Sequence, residues 1–560
     1  MGYQLSPGVR VSEIDLSTIV PSVLTTAGAF AGTFRWGPAN KIMLIDNEIT
    51  LTKTYMPPDS NSAVSFFTAS NFLSYGNNLS VVRVAGANSW TAAANVTANV
   101  QILNSDDFSY RYLQTDNLNQ LGPFVARYPG TIGNSLSVQI IDTGNTARSD
   151  LFSTVPGTSE FVSNAGGSND EIHIVVTDED GWFTGYKGTV LETFPFVSKA
   201  SNAIKLNDGS TNYYKQVIFN NSKYIYAVDP ADYSNTSSTW GQTAPRTFGK
   251  VFGGTKSYSL GGGFDDVPTQ DDIIVRGYSL FANKDDIDIS LILSGDADIT
   301  LQQYILDLAK SRADCVAFIS PPASAVINKG GFESSNIKTW VNQLTGSSYA
   351  VADSGWKYQF DIYNNTYRWI PLNGDVAGLC VYTDNTRDPW WSPAGYNRGQ
   401  IKNAIKLAWN PSQTYRDSLY SSGVNPVVSF PGTGIVLFGD KTLQSKPSAF
   451  DRINVRRLFI VLEKAIAKFA QYSLFEFNDE FTRAQFVAAV VPFLRDIQGR
   501  RGITDYKVVC DTTNNTPQVI DSNQFVGDIY IKPARSINFI QLNFIAVGTG
   551  VDFTTVVGAA

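Results

Sequence analysis

The hydrophobic positions in the first hundred residues follow two different spacings. Residues 27–34 and 79–84 are short apolar runs, which predict buried strands. Residues 63–75 instead repeat phenylalanine and other apolar side chains near helical spacing, and the Gly-Asn-Asn sequence that follows them predicts the end of a helix. The region from 26 to 90 is therefore predicted to combine helices with strands.

Helix-like and strand-like spacings alternate again beyond residue 266. The predicted elements are a helix over 269–281, a strand over 287–293, a helix over 300–311 and a strand over 315–320. Strands that are separated by helices predict a mainly parallel sheet with helices covering it. Farther along, residues 358–370 predict a hairpin that turns at Asn364 and Asn365.

A polar stretch separates these two regions. From 91 to 265 the sequence is rich in Asn, Ser, Thr and Gly, and short alternating runs at 136–140 and 172–176 predict strands. Surface loops accept long additions at a small entropic cost, so we interpret this stretch as a β-rich inserted domain. Residues 26–90 and 266–430 are then predicted to form one middle α/β domain.

The last part of the chain, residues 431–560, has regular helical patterns. Apolar residues recur on one face of a helix beginning near Asn454. In a second helix, Thr482 and Gln485 have the spacing of a capping box, and Pro492 is expected to kink or split that helix. Two strands are predicted after these helices, over 528–532 and 537–547.

Both ends of the chain alternate apolar and polar residues like isolated strands, at 7–16 and at 549–557. A strand with no nearby partner exposes an edge that needs main-chain hydrogen bonds from elsewhere. We therefore predict two terminal arms whose strands need a partner edge from elsewhere. The candidate arm residues are Val9, Val11, Glu13, Ile14, Val551 and Phe553.

Composition narrows the classes of function. The chain has 560 residues, of which 43% are hydrophobic and 17% are charged, so it is globular and long enough for several domains. A net charge of −7 argues against general nucleic-acid binding, which needs basic surfaces. The three cysteines lie far apart, which favours a reducing compartment. Neither a signal peptide nor an apolar run of membrane length is expected.

The sequence offers few candidates for catalysis. His173 is the only histidine, and no nucleophile or carboxylate lies near it in a suitable pattern, so a structural role is predicted. The four aspartates between 265 and 272 have residue types that suit Ca²⁺ or a glycosidase pair, but their position before a helix is typical of capping. The glycine-rich segments at 253–256 and 261–263 match no phosphate-binding motif. We predict no catalytic, cofactor-binding or metal-binding residue, and hence no enzyme.

Several motifs, taken in chain order, resemble those of contractile-tail sheath proteins. They are Pro-Gly-Val-Arg-Val-Ser-Glu at 7–13, the segments 28–32 and 35–38, the segments 127–130 and 133–136, the segments 391–395 and 398–399, Phe-Asp-Arg-Ile-Asn-Val-Arg-Arg-Leu at 450–458, and Asn-Asn-Thr-Pro at 514–517. Each motif is short, and their order along the chain is what is typical of the family. Most of 140–260 matches none of them.

This resemblance implies a structural subunit of a virion. Such subunits form stacked hexameric rings around a rigid tail tube, and the rings shorten and widen to drive the tube through a host envelope. The fold implied is multidomain, of the α+β and α/β classes, and its terminal arms are implied to exchange strands by adding to sheets of neighbouring subunits. Its parts are an N-terminal arm over 1–25 that packs with the C-terminal domain, the middle α/β domain, the β-rich outer domain over 91–265, and an inner mixed α/β domain over 431–560 that faces the tube and carries a terminal arm.

The implied partners are other copies of the chain, the tail tube protein, and baseplate and tail terminator proteins. Nucleic acid, a cofactor and direct membrane insertion are not expected, and assembly is expected in the host cytoplasm. The C-terminal part carries a small basic excess on an acidic chain, so Arg495, Arg500, Arg501 and Lys507 are the candidate tube-facing residues. An ordinary solvated helix end is the alternative for these four.

Two other interpretations of the whole chain remain open from the sequence. The same fold would suit the sheath of a bacterial contractile injection particle or bacteriocin. A virion protein that binds or cleaves glycans would also suit an acidic, aromatic-rich chain, and Trp390 and Trp391 would then be candidates for stacking on a sugar, although the flanking prolines favour a packed loop.

Overall fold

The computed structural model describes residues 20, 23–95, 99–113, 122–228, 239–538 and 540–541. These residues divide into two compact units. The larger unit contains the described parts of 21–389 and 393–468, and the smaller unit contains residue 20, residues 390–392 and the described residues from 469 onward.

Helices and strands occur along the whole described part of the chain. The helices are α1 (Glu48–Tyr55), α2 (Ala63–Leu73), α3 (Ser105–Phe108), α4 (Glu160–Asn164), α5 (Tyr214–Asn221), α6 (Gln270–Arg276), α7 (Ile299–Arg312), α8 (Ala323–Val326), α9 (Glu333–Val341), α10 (Asn373–Thr386), α11 (Gln413–Ser421), α12 (Ile453–Ala470), α13 (Glu480–Gly499) and α14 (Pro517–Asp521). The strands are β1 (Gly28–Gly32), β2 (Ile42–Ile45), β3 (Leu79–Arg83), β4 (Phe124–Ala126), β5 (Leu136–Asp142), β6 (Glu171–Asp178), β7 (Thr189–Ser198), β8 (Ile225–Ala227), β9 (Thr255–Ser259), β10 (Leu291–Leu293), β11 (Val316–Ile319), β12 (Ala350–Asp353), β13 (Trp356–Asp361), β14 (Thr366–Pro371), β15 (Lys406–Leu407), β16 (Val424–Asn425), β17 (Val427–Phe430), β18 (Gly434–Leu437), β19 (Ile503–Val509) and β20 (Asp528–Pro533).

A seven-stranded sheet organises the larger unit, in the order β16-β12-β11-β10-β1-β3-β2. Every neighbouring pair is parallel except β2 with β3. Strands β1 and β10 are neighbours, with Gly28 opposite Leu291. The sheet therefore joins strands from before residue 90 to strands from after residue 290, and the predicted mainly parallel sheet is confirmed.

The two faces of this sheet bury separate hydrophobic cores. On β1, Phe30 belongs to one core, whereas Ala29 and Ala31 belong to the other, as the alternation of side chains along a strand requires. Helices α2 and α10 pack over the first face. A Cβ atom on Gly28 would lie 2.6 Å from the ring of Phe72 in α2, so glycine permits the close approach of this helix.

The segment between 91 and 265 forms a four-stranded antiparallel sheet, in the order β7-β6-β5-β9, with its own hydrophobic core. The strands predicted at 136–140 and 172–176 are confirmed as parts of β5 and β6. The chain enters and leaves this segment side by side, because Trp90 and Phe264 exchange main-chain hydrogen bonds of 2.9 and 3.0 Å.

Other sequence predictions for the larger unit are also confirmed. The helix predicted at 63–75 is α2, and the predicted hairpin is formed by β13 and β14. Its turn places Asn365 at a φ of 49°, a left-handed conformation that asparagine tolerates better than most residues. The helix predicted over 269–281 is divided at Gly277, where α6 ends, and a short 3-10 helix follows over Tyr278–Phe281.

In the smaller unit, α13 packs against the antiparallel pair of β19 and β20. The apolar face of α13 buries Phe486, Val490, Leu494 and Ile497. The strand predicted at 528–532 is confirmed as β20. The described residues 537, 538, 540 and 541 are not in a strand, and the rest of the strand predicted at 537–547 lies almost wholly outside the described residues.

The predicted capping box of α13 is wrong, and of the two outcomes predicted at Pro492, a kink or a split, the structure excludes the split. The helix begins one turn earlier than the proposed Thr482–Gln485 capping box, since Asp479 is the N-cap and accepts a hydrogen bond of 2.8 Å from the main-chain N–H of Thr482. The helix is also not split at Pro492 but continues to Gly499. Burial of Val490 and Leu494 on either side of the proline holds both halves against the same core.

Candidate functional site

The four basic residues predicted to face a tube all lie in the smaller unit, and all are exposed. Arg495 is in the penultimate turn of α13, and Arg500 follows the end of that helix. Arg501 has a φ of 65°, which reverses the chain direction between α13 and β19. Lys507 lies farther along β19, opposite Tyr530 of β20. The turn after α13 therefore presents Arg500 and Arg501 together, and we call these two residues the basic turn.

Each of these two arginines lies over a tryptophan. The guanidinium carbon of Arg500 is 5.0 Å from the ring centre of Trp390, and that of Arg501 is 5.5 Å from the ring centre of Trp391. The Trp390 Nε1–H also donates a hydrogen bond of 3.1 Å to the Arg500 carbonyl. Trp390 is therefore part of a packed turn, as the flanking prolines predicted, and its face is not an open platform for a sugar.

The loop between α12 and α13 carries a group of exposed apolar side chains that the sequence patterns did not predict. We call it the aromatic loop, and its members are Tyr472, Leu474, Phe475 and Phe477 of the loop with Phe481 of the first turn of α13, each more than half exposed. Phe475 is completely exposed, and Phe477 is 84% exposed. Exposed apolar groups of this size are typical of interaction surfaces. The sequence signal was the run Leu-Phe-Glu-Phe, in which large apolar residues continue after the helical pattern has ended.

The aromatic loop and the basic turn lie at opposite ends of α13. A helix of 20 residues is roughly 30 Å long, so the two surfaces are well separated. The acidic residues Glu476, Asp479 and Glu480 accompany the aromatic loop and are exposed. The smaller unit thus presents an acidic, apolar surface at one end of this helix and a basic surface at the other.

The predicted terminal arms lie outside the described residues, which applies to Val9, Val11, Glu13, Ile14, Val551 and Phe553. Their strand exchange therefore stays a prediction. Within the described part of the chain, β19 and β20 form a sheet of two strands only. Each of these strands consequently has one edge that no described residue pairs.

The Arg-rich motif at 450–458 anchors the start of α12 in the larger unit. Arg457 is buried and forms two hydrogen bonds, of 2.7 and 2.6 Å, with the carboxylate of Asp384. Burial by itself would lower the pKa of Arg457, but the neighbouring Asp384 carboxylate, through its charge and its hydrogen bonds, raises it. Arg456 lies over the rings of Tyr349 and Phe450, at 4.2 and 4.0 Å. These arginines are part of the interior and are not available to a partner.

A second motif, at 127–130, joins the inserted segment to the seven-stranded sheet. Arg83, the last residue of β3, is buried and donates hydrogen bonds to the carbonyls of Phe34, Gly37 and Pro129, at 2.8–2.9 Å. Burial lowers the pKa of Arg83 to about 10. One guanidinium therefore joins three carbonyls, one of them from the 127–130 motif, to the end of β3.

The residues considered for chemistry have structural partners. His173 is buried between the rings of Phe152 and Phe196, and it accepts a hydrogen bond of 3.0 Å from the main-chain N–H of Phe196. Burial lowers its pKa. Asp272 and Thr269 form a capping box at the start of α6, which confirms the capping interpretation for that aspartate. The burial of His173 agrees with a structural role, which stays a prediction.

Two features are absent from the described residues. No group of three or more His, Cys, Asp or Glu side chains is arranged to hold a metal ion in this part of the chain. None of the helices that the structure describes has both the length and the apolar composition to cross a membrane.

Comparison with known proteins identifies the family. Two family models match the chain, the phage tail sheath protein central domain over 285–443 and the phage tail sheath C-terminal domain over 445–546. The tail sheath protein of Vibrio phage KVP40 is 33% identical to this chain, across 99% of this chain and 100% of that protein. The chain belongs to the tail sheath protein family. The tail sheath protein of Enterobacteria phage T4 is 31% identical, across 99% of each chain.

Solved structures of sheath proteins share this mixed α/β multidomain fold. The sheath tail protein from Listeria innocua is 11% identical and superposes with a TM-score of 0.53, covering 92% of this chain and 96% of that one. The helical sheath of the anti-feeding prophage in its contracted state is 13% identical, with a TM-score of 0.52 and coverage of 97% and 99%. The resemblance carried by the sequence motifs is thereby confirmed.

The matched regions show where the candidate surfaces lie within the sheath family's domains. The C-terminal domain model, over 445–546, includes the aromatic loop, α13, and all four basic residues. The inserted segment between 91 and 265 lies outside both matched ranges. The candidate contact surfaces of this sheath protein therefore belong to a recognised sheath domain.

Proposed function

We propose that this sheath protein polymerises as stacked rings of six subunits around a tail tube, and that contraction of the rings drives the tube through a host cell envelope. The observation that carries the proposal is the incomplete surface of the smaller unit, which combines an exposed aromatic loop, a basic turn and a two-stranded sheet. Contacts with neighbouring subunits and with the tube would cover the aromatic loop and the basic turn, and an added strand would extend the two-stranded sheet. The work of contraction would come from the difference in buried contacts between two packings, without nucleotide.

The terminal arms are proposed to connect neighbouring subunits. The free edges of β19 and β20 offer main-chain N–H and C=O groups, and an extended arm would satisfy these groups by adding a strand. The residues proposed for this role are Val9, Val11, Glu13, Ile14, Val551 and Phe553. Connections of this kind would let domains rotate while neighbouring subunits stay joined.

Deleting residues 1–16 tests the arm proposal. The shortened chain is expected to remain folded by circular dichroism but to form no long cylinders in electron micrographs. Deleting only residues 1–6 is the matched control, because it keeps the alternating segment from Val9 to Ile14. Long striated cylinders from the larger deletion would contradict the proposal.

The basic turn is proposed to face the tube, together with Arg495 and Lys507. Support comes from the exposed positive charge at the end of α13, held in place by Trp390 and Trp391. Long-range attraction to an acidic tube surface would guide assembly and would weaken as salt is added.

Charge reversal tests this placement. Arg500→Glu together with Arg501→Glu is expected to reduce co-assembly with tail tube protein in a sedimentation assay at least several-fold. Lys187→Glu, which reverses an exposed charge in the inserted segment, is the control and is expected to have no effect. Unchanged co-assembly of the double variant would remove these two residues from the tube contact.

The remaining parts of the proposal follow the domain organisation. Residues 26–90 with 266–430 would form the middle domain, 91–265 the outer domain and 431–560 the inner domain. Partners would be further copies of the chain, the tube, the baseplate and the tail terminator. The protein would be assembled in the host cytoplasm and retained in the virion.

A further inference from the structure

The larger unit buries two lysine–aspartate pairs, and they differ in how completely their polar atoms are satisfied. The pairs are Lys199 with Asp142 and Lys357 with Asp375, and all four side chains are 0% exposed. A buried ion pair is stable only when nearly every remaining donor and acceptor also finds a partner. The hydrogen bonds of each pair therefore indicate whether it is stable as a charged ammonium beside a charged carboxylate.

The pair of Lys199 and Asp142 has the contacts of a complete ion pair. The Lys199 Nζ donates to Asp142 Oδ1 and to the carbonyls of Asn169 and Gly249, the last two at 2.9 and 3.2 Å. The second carboxylate oxygen, Asp142 Oδ2, accepts a hydrogen bond of 2.7 Å from the main-chain N–H of Val251. All three ammonium protons and both carboxylate oxygens are thus used.

The pair of Lys357 and Asp375 is incomplete. The Lys357 Nζ donates to Asp375 Oδ1 at 2.9 Å and to the Lys402 carbonyl at 2.8 Å. The Tyr75 hydroxyl donates to the same Oδ1 at 3.1 Å. Asp375 Oδ2 is buried and has no hydrogen-bond partner among the described residues. Two donors therefore converge on one carboxylate oxygen, while the other oxygen is left without compensation.

Burial also favours the neutral forms of this pair. It lowers the pKa of Lys357 and raises the pKa of Asp375, while the charge of each partner opposes the shift. A proton transfer along the 2.9 Å hydrogen bond would convert the ion pair into a neutral amine beside a neutral carboxylic acid. A neutral amine is a nucleophile, and a neutral carboxyl group accepts nucleophilic attack more readily than a carboxylate.

The two groups are held in place by regular elements. Lys357 lies on β13, whose neighbours on either side are β14 and β15. Asp375 lies in the first turn of α10, which packs against α2 and the seven-stranded sheet. Fixing the nucleophile beside its target replaces a collision between free molecules and removes much of the entropic barrier.

We propose that Lys357 and Asp375 condense into an intramolecular amide bond, which cross-links β13 to α10, and that Lys199 and Asp142 remain an ion pair. The lone pair of Lys357 Nζ forms a bond to the Asp375 carboxyl carbon, and the bond from that carbon to Oδ1 breaks. Of the three ammonium protons, two leave with Oδ1 as water, and the third remains on the amide nitrogen, within reach of the Lys402 carbonyl. The unpartnered Oδ2 becomes the amide oxygen, so its negative charge is removed.

Mass spectrometry of the folded full-length chain tests the proposal. A tryptic digest after denaturation is expected to contain a branched peptide that joins residues 339–368 to 369–387, lighter than its parts by one water molecule, with no cleavage after Lys357. Cleavage after Lys199 is expected to proceed normally in the same digest. Separate, unmodified peptides around Lys357 and Asp375 would overturn the proposal, and a cross-link at Lys199 would overturn the hydrogen-bond argument behind it.

Two variants separate the roles of the side chains. Lys357→Arg keeps a positive charge but cannot form this amide, so the branched peptide should be absent. Tyr75→Phe removes one of the two donors to Oδ1 and should lower the cross-linked fraction severalfold in protein collected soon after synthesis. A branched peptide that persists in Lys357→Arg would show that another lysine is linked and would contradict the assignment. The wild-type digest decides the question even where a variant fails to fold.

Discussion

Helix α10 of the larger unit and helix α13 of the smaller unit differ in how much of their surface the chain itself covers. In α10, ten of the 14 residues are buried, whereas in α13 only six of the 20 are buried. The aromatic loop just before α13 leaves Phe475 and Phe477 almost entirely in solvent. The chain itself thus covers most of α10 in the larger unit, whereas the smaller unit leaves exposed surfaces that are suited to partners. If neighbouring subunits move during the proposed contraction, this separation would let the larger unit stay folded while the contacts of the smaller unit change.

The largest loss of subunit stability is expected from the interior of the larger unit. Arg457→Ala leaves the buried Asp384 carboxylate without its partner and should lower the free energy of unfolding by about 3–5 kcal/mol. Urea unfolding of the full chain, followed by circular dichroism, measures this change. The double variant Arg457→Leu with Asp384→Leu should lose less, because no charge stays buried. An equal loss of unfolding free energy in both variants would mean that lost packing, and not the unpaired charge, causes the effect.

A second effect on the larger unit depends on pH. Burial raises the pKa of Asp353 to about 8, against 3.8 for a free side chain, while hydrogen bonds from Ser320 and Gly355 oppose the shift. Between these pH values the folded chain binds a proton that the unfolded chain has released. This stabilisation is complete below pH 3.8 and is lost as the pH rises toward 8, by at most about 1.4 kcal/mol per pH unit.

Replacing this carboxyl group tests the assignment. Asp353→Asn should flatten the dependence of unfolding free energy on pH between about 5 and 8, since the variant lacks the carboxyl group whose pKa is raised into this range. Asp479→Asn, which changes an exposed carboxylate at the start of α13, should keep the slope. A wild-type slope in the Asp353 variant would mean that another group is responsible.

The smallest effect on subunit stability is expected from the aromatic loop. Phe475→Ser together with Phe477→Ser should change the free energy of unfolding by less than about 0.5 kcal/mol per substitution, because both side chains are exposed. The same variant should assemble poorly, which sedimentation of cylinders measures. Tyr186→Ser, an equally exposed residue of the inserted segment, should assemble normally. Cylinders from the loop variant at wild-type yield would remove the loop from the assembly contacts.

Local patterns predicted the elements of the larger unit well, because their side chains are fixed by burial. The apolar runs at β1 and β3, the helix α2 and the Asn364-Asn365 turn all carry spacings that the core requires. The mainly parallel sheet followed from the alternation of these elements. The join between β1 and β10 was supported by the same alternation, although more than 250 residues separate them.

The smaller unit was harder to predict, for physical reasons that its residues illustrate. The contact of Arg500 with Trp390 joins positions 110 residues apart, and no local spacing encodes it. The apolar side chains of the aromatic loop resemble core residues in sequence, so their exposure becomes visible only in the fold. The capping residue of α13 was misassigned because both Asp479 and Thr482 are residue types that cap helices well.

The paired entry and exit of the inserted segment have a consequence for protein engineering. Because Trp90 and Phe264 are joined by two main-chain hydrogen bonds, the inserted segment begins and ends at neighbouring points of the chain, which form its attachment. A foreign domain whose two ends lie equally close together would meet the seven-stranded sheet at the same points and leave its strand register unchanged. This attachment is therefore the position at which a binding module or a label would be grafted onto every subunit of an assembled particle.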